Sequence, residues 1–242
     1  MLAAVGLDGN NGLYPIAIAV VESECKDSWA FFLYHLNTIF GNGPQTMPLT
    51  IMSDGQKGIE PAMRQVIPQA THNRCYRHIF NNLKGKFPGL KMKRAFWSTT
   101  KAYIVKDFNI AMGQMLELSS EAHSWLSKFP VEIWARHIFD HRVKSEHVTS
   151  NMVESFNNWI SNVRGKHILS LLENIKLKLM NKLHKRFEEA ASWQSLVTPS
   201  IKKKLDEVVF QSRLCKVTFA GQEEYQVVED VVSYIANLLR RS

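Results

Sequence analysis

A change of hydrophobic period near residue 90 constrains the fold most. Before it, short apolar runs alternate with turns. Residues 2–8 (LAAVGLD) and 13–22 (LYPIAIAVVE) read as strands, and DGNNG between them supplies the Asp-Gly and Asn-Gly pairs of a tight hairpin, with Asp8 in the turn. Ser28 to Phe40 places Trp29, Phe32, Leu33, Leu36, Ile39 and Phe40 at helical spacing, and GNGPQTMP breaks that helix. LTIMSD (49–54) reads as a short buried strand ending in Asp54; GQKGIEPAMRQVI follows as a helix closed by Pro68. ATHNRCYRHIF (70–80) reads as a strand running into a helix. From Lys91 to Trp193 the period is helical throughout, ending in one long amphipathic helix with Ile168, Leu171, Leu172, Ile175, Leu179, Leu183 and Phe187 on its apolar side. After Pro199, CKVTFAG and EYQVVED alternate as a small hairpin, joined by VSYIANLL. A mixed α/β sheet carrying a large helical insertion satisfies both halves of this pattern.

The 242 residues, 45% of them apolar, are enough for a sizeable core. No apolar run approaches the ~18 residues of a membrane-spanning helix, so no membrane partner is expected. The opening MLAAVGLDGNNG lacks the basic start and long apolar stretch of a signal peptide. Cys25, Cys75 and Cys215 are odd in number and far apart, which argues against a disulfide framework and for a reducing compartment. Net charge is +8, and two blocks hold all of the excess: residues 71–110 carry nine Lys/Arg against one acid, and residues 161–204 carry ten against three. Basic blocks between slightly acidic ones suit either a polyanion-binding face or two solvated helices.

Four positions invite chemistry, and each has a plainer reading. Asp54 closes a strand, where α/β sheets bind ligands, yet Asp is also a preferred helix N-cap. Glu154 lies among Met152, Val153, Phe156, Trp159 and Ile160 on an apolar helical face; it faces something positive, or it completes a capping box with Asn151. Cys75 and His78, with His72 three residues before Cys75, are metal-ligand types, but no second half-site completes a zinc set, and a buried thiol beside a hydrogen-bonded histidine is the favoured reading. His137, His141 and His147 follow no ligand spacing. Asp54 and Glu154 together would suit Mg²⁺, which takes one or two carboxylates plus phosphate oxygens, but spacing alone does not pair them.

The strings AVGLDGNNGLYPIAIAVVESECKDSWAFFLYHL, IMSDGQKGI, CYRHIFNNLKGKF and TSNMVESFNNWI, in that order, resemble plant Mutator-like element transposases over nearly the whole chain. The resemblance implies a ribonuclease H-like core with a helical insertion and a DDE acid triad acting on DNA in the nucleus. By motif, Asp54 is the second acid, Glu154 the third, and Cys75 and His78 the family's C-x-x-H signature. It implies Mg²⁺ or Mn²⁺ as the cofactor, with zinc not expected, and DNA as the partner, with homo-oligomers a further expectation. The family's first Asp sits on a strand just before the hairpin, and its SWIM zinc segment follows a YIANLLRRS-like stretch. Set against that pattern the chain reads as truncated at both ends, its first strand and first acid missing, and is expected to show little strand transfer alone. Asp8, in a turn, is no substitute.

The implied division is 1–90 as part of the core, 91–148 as the insertion, 149–195 as returning helices with the third acid, and 196–242 as a C-terminal hairpin region. Phosphate contacts are expected from Lys84, Lys86, Lys91, Lys93 and Arg94, and from Lys176, Lys178, Lys182, Lys185 and Arg186. The alternative is a non-catalytic, DNA-binding transcription regulator derived from such a transposase, as far-red-response regulators are.

Overall fold

The structure is a computed structural model that describes residues 1–40, 49–139, 151–229 and 232–238. GNGPQTMP, His141 and His147 lie outside the described residues. Strands β1 (Leu2–Leu7) and β2 (Leu13–Ala19) form the expected hairpin. In its turn the Asp8 carboxylate accepts from the backbone N–H groups of Asn10 at 3.0 Å and Gly12 at 2.7 Å, the Asx-type bonding that makes Asp a turn residue. Helix α1 (Lys26–Phe40) then buries Phe32, Leu33 and Leu36.

Strand β3 (Thr50–Ser53), helix α2 (Ile59–Val66) and strand β4 (Thr71–Arg74) make a β-α-β unit whose strands pair in parallel, Thr50 with Thr71 through Ser53 with Arg74. A helical crossover is what parallel pairing requires. The expected helix from Gly55 starts four residues late. Gly55 and Gly58 adopt φ of 80° and 99°, outside helical geometry, and Gly58 is the N-cap. Asp54 is therefore not a helix cap. A Cβ at Gly58 would also lie 2.8 Å from the Lys26 backbone nitrogen, so that close approach requires glycine.

The β1–β2 and β3–β4 pairs are separate two-stranded sheets among the described residues. They nevertheless share one apolar cluster: Leu2, Ala4 and Ile16 from the hairpin and Ile51 from β3 pack with Phe32, Leu36, Ile59 and Met63 of the helices. A second cluster is wholly helical. It is built by α3 (Tyr76–Lys86), α4 (Leu90–Lys101), α5 (Val105–Leu118), α6 (Ser120–Leu126) and two single 3₁₀ turns, Val131–Ile133 and Arg136–Ile138. Ser119 separates α5 from α6: its extended backbone ends one helix and its hydroxyl accepts from Ala122 N–H, capping the next. Trp134, fully buried, donates its indole N–H to the Phe129 carbonyl and packs on Phe108.

Helix α7 (Asn151–Trp159) and the long α8 (Ile168–Ala191) follow. Of α8's apolar side, Leu171 and Ile175 are buried while Leu172, Leu183 and Phe187 remain exposed. Helix α9 (Pro199–Ser212) was not expected, although Thr198 before Pro199 is a helix-start pair. Strands β5 (Lys216–Gly221), β6 (Glu224–Glu229) and β7 (Val232–Asn237) form an antiparallel sheet, so VSYIANLL supplies a third strand. The chain divides into two compact units, Met1–Gly6 with Pro15–Leu171, and Leu7–Tyr14 with Leu172–Ser242. In the second unit Thr198 donates to the Gly9 carbonyl at 2.7 Å and the Ser200 N–H to Asn10 Oδ1 at 2.9 Å, which docks the start of α9 on the hairpin turn.

Candidate active site

Asp54 is the first residue past β3, on the loop that Gly55 and Gly58 bend. It is exposed, and its carboxylate accepts from the Gln56 N–H at 3.1 Å. The strand beneath it is pinned to β4. Ser53 Oγ lies 2.8 Å from His72 Nε2 and accepts from Gly55 N–H at 3.2 Å. Burial pushes the His72 imidazole below its ordinary value; Glu60 opposes this, and Arg74 and Arg64 add to it.

Cys75 continues the same pinning. Its N–H donates to the Ser53 carbonyl at 2.7 Å, and its own carbonyl accepts from the His78 N–H at 3.1 Å as α3 begins. The C-x-x-H pair thus joins the end of β4 to the first turn of α3, with Cys75 fully buried. Polar atoms crowd this junction: Asn73 Oδ1, Tyr76 Oη and His78 Nδ1 are all buried without a hydrogen-bond partner. Burial raises the Tyr76 phenol pKa well above the usual range. Buried polar atoms of this kind are costly.

Arg77, in the first turn of α3, was missed by sequence reasoning. Its guanidinium donates to Glu154 Oε2 at 2.7 Å and to Asn151 Oδ1 at 3.0 Å. Glu154 therefore does face a positive charge. Asn151 is the first described residue of α7, and its side-chain carbonyl serves Arg77. The signal for Arg77 was its place in CYRH, one residue from the signature histidine, the lone cation of that motif.

Asp54 and Glu154 are each tied to a different strand of the parallel pair. Asp54 follows β3 directly; Arg77, which holds Glu154, is three residues past the end of β4. Both carboxylates are reachable from solvent, as groups that take up an ion must be. Among the described residues no group of three or more His, Cys, Asp or Glu side chains gathers for a metal.

The basic residues divide into two kinds. Lys84, Lys86, Lys91, Lys93 and Arg94 are exposed on the end of α3 and the start of α4. On α8, Lys178 and Lys182 are partly buried, and the Lys182 ammonium is depressed by burial and then by Arg186, with Asp8 opposing. Lys185 lies 3.9 Å from Glu189 on an exposed face. Arg186 pairs with Asp8 at 3.0 Å, and both side chains are largely covered. That pairing turns Arg186 toward the hairpin turn of its own unit and largely cancels its charge.

Residues 1–82 match the family model described as the MULE transposase domain. The likeness to transposases is thereby shown on that stretch, which contains β1 to the start of α3 and both Asp54 and the C-x-x-H pair. The chain is also 26% identical over 131 residues to the transposase for insertion sequence element ISRM5 of Rhizobium meliloti (strain 1021), a match covering 54% of this chain and 30% of that protein. It is 25% identical over 225 residues to the transposase for insertion sequence element IS905 of Lactococcus lactis subsp. lactis (strain IL1403), covering 78% of this chain and 52% of that protein. The chain thus spans between about a third and a half of the length of these curated relatives. Both of these relatives are bacterial insertion-sequence transposases, not plant elements.

Proposed function

We propose that the chain is part of the catalytic domain of a DDE-type transposase, in which Asp54 and Glu154 are two of the acids that serve phosphoryl transfer on DNA. The observation that supports this most is the Arg77–Glu154 contact, which ties α7 to the helix leaving β4 while Asp54 leaves β3, the strand paired with it. Ends of parallel strands are where α/β folds do chemistry. The two strand pairs that share a core without sharing hydrogen bonds support a ribonuclease H-like sheet with room for another strand.

The donor set fits a hard cation. Two carboxylates, both open to solvent, suit Mg²⁺ or Mn²⁺, which keep water and phosphate oxygens as their remaining ligands. Such an ion supplies charge to the phosphoryl oxygens and an activated hydroxyl at neutral pH. The protein's own part is to hold Asp54 on a glycine-bent loop pinned by Ser53 and His72, and to hold Glu154 by Arg77 until an ion competes for it. Lys84, Lys86, Lys91, Lys93 and Arg94 neutralise backbone phosphates without reading bases. No observation favours the reading as a non-catalytic regulator.

Iron-directed hydroxyl-radical cleavage tests the reading without requiring turnover. Fe²⁺ bound to the full chain should cut the backbone beside both Asp54 and Glu154, and Asp54→Asn should suppress both cuts. Cuts beside one acid alone, or cuts indifferent to Asp54, would sink it.

A further inference from the structure

Helix α4 turns one continuous stripe toward solvent: Leu90, Lys93, Arg94, Trp97, Ser98 and Lys101, all on one face by helical spacing. These side chains line a shallow groove of about 610 Å³. Ser98 and Lys101 also line a second hollow, about 360 Å³, that continues past Tyr103 to Ile110 and Gln114 of α5. The two hollows share those two lining residues.

Cations and aromatic rings are interleaved along this path. The Lys101 ammonium sits 5.4 Å from the Trp97 ring centre, and the Arg136 guanidinium 4.1 Å from that of Tyr103. Trp97 is braced from behind by Phe80 at 6.0 Å and Phe96 at 5.6 Å, which fixes its plane. Tyr103 is 61% exposed, a large amphipathic ring kept at the surface. Among the residues lining the two hollows, Asp107 is the one acid against Lys93, Arg94 and Lys101.

This combination selects among polyanions. A duplex offers phosphates but keeps its base faces stacked inside, so aromatic rings gain nothing from it. A single strand offers both phosphates and base faces, and stacking tolerates any base. We infer that the α4–α5 groove binds single-stranded nucleic acid, with Lys93, Arg94 and Lys101 on phosphates and bases stacked on Trp97 and Tyr103. Lys101 covers Trp97 in the free chain and is the group that a stacking base displaces; its four-carbon stem lets the ammonium move to the adjoining phosphate. The inference takes from the proposed function the class of partner and the phosphate role of Lys93 and Arg94, and it involves neither Asp54 nor Glu154.

Fluorescence anisotropy of the full chain, with a labelled oligothymidine of about 12 nucleotides and with a duplex of equal length, tests it. Tyr103→Ala should weaken oligothymidine binding about tenfold, and Tyr103→Phe should restore it, because the ring and not the hydroxyl stacks. Lys101→Gln should lower the slope of log affinity against log salt by roughly 0.7, the share of one phosphate contact on a single strand. Duplex affinity should stay unchanged in Tyr103→Ala, and a thermal melt should show the variant folded. No oligothymidine binding, wild-type binding by both Tyr103→Ala and Lys101→Gln, or equal weakening of duplex and single strand by Tyr103→Ala would each overturn the inference. None of these outcomes bears on the iron cleavage at Asp54 and Glu154, so the two readings fail separately.

Discussion

The helical cluster between Tyr76 and Phe139 and the C-terminal stretch from Pro199 to Asn237 are similar in regularity and opposite in packing. In the first, Phe96, Met115, Leu126 and Trp134 are fully buried. In the second no described residue is buried, and beyond Ile175 none is buried anywhere in the described chain. Helix α9 leaves Leu205, Val208 and Phe210 exposed, and β5 leaves Val217 and Phe219 exposed. The C-terminal sheet is held by its antiparallel ladder and by ring contacts such as Phe219 with Tyr225, centroids 5.3 Å apart. Regular backbone bonding and a core are thus separable. Local pattern builds the ladder, but only side-chain burial supplies the larger stabilising term.

Point substitution should expose that difference most strongly at the two aromatic residues. Trp134→Ala removes a fully buried ring and orphans the Phe129 carbonyl, so urea unfolding should show a loss of about 3–5 kcal/mol. Phe219→Ala, at 63% exposure, should cost less than about 0.5 kcal/mol. A loss at Phe219 comparable to that at Trp134 would break the comparison, because it would mean that this face is covered in solution.

A smaller effect should appear as a pH dependence confined to the β3–β4 pair. Burial depresses the His72 pKa below 6.5, so the fold favours the neutral ring. The unfolded chain then binds the proton more readily than the folded one, and stability must fall as pH falls. The His72 contribution is complete above about 6.5 and is lost as pH drops from there through the folded value. Replacing it as His72→Gln, which keeps a partner for Ser53 Oγ, should flatten the stability profile between about pH 5 and 7. An unchanged slope would show that His72 is solvated, and that the strand pair is no tighter than the C-terminal sheet.

The strands and helices of the first 80 residues were legible because each carries its own period and stop signals. Asp8 in its hairpin turn and Asp54 at a strand end follow from local chemistry alone. The late start of α2 was not legible, since Gly55 and Gly58 take left-handed backbone angles that a helical apolar pattern does not reveal. Helix α9 was obscured because its pattern is diluted by Lys202, Lys203 and Lys204, and only Thr198–Pro199 marked its start. Arg77 and the Asp8–Arg186 pair join residues 77 and 178 positions apart in sequence, and no local signal encodes such a partner. The acid at Glu154 could be singled out as anomalous; what it faces could not.

That contact gives the smallest effect, and it sharpens the comparison from the site's side. Arg77 and Glu154 are each about half exposed, so solvent screens the pair despite its 2.7 Å separation. Such pairs typically contribute about 0.2–1 kcal/mol. A double-mutant cycle of Arg77→Gln and Glu154→Gln should give a coupling inside that range, shrinking toward zero near 1 M salt, where screening acts within ~3 Å. A coupling several times larger would mean that Glu154 is locked in place as a structural residue like Trp134. A small one means that α7 keeps its register through Phe156, fully buried on the same helix, while the carboxylate is held by a bond weak enough to exchange. Burial fixing the helix while screened charge holds the acid is the arrangement a carboxylate needs if it is to trade an arginine for another cation without unfolding what carries it.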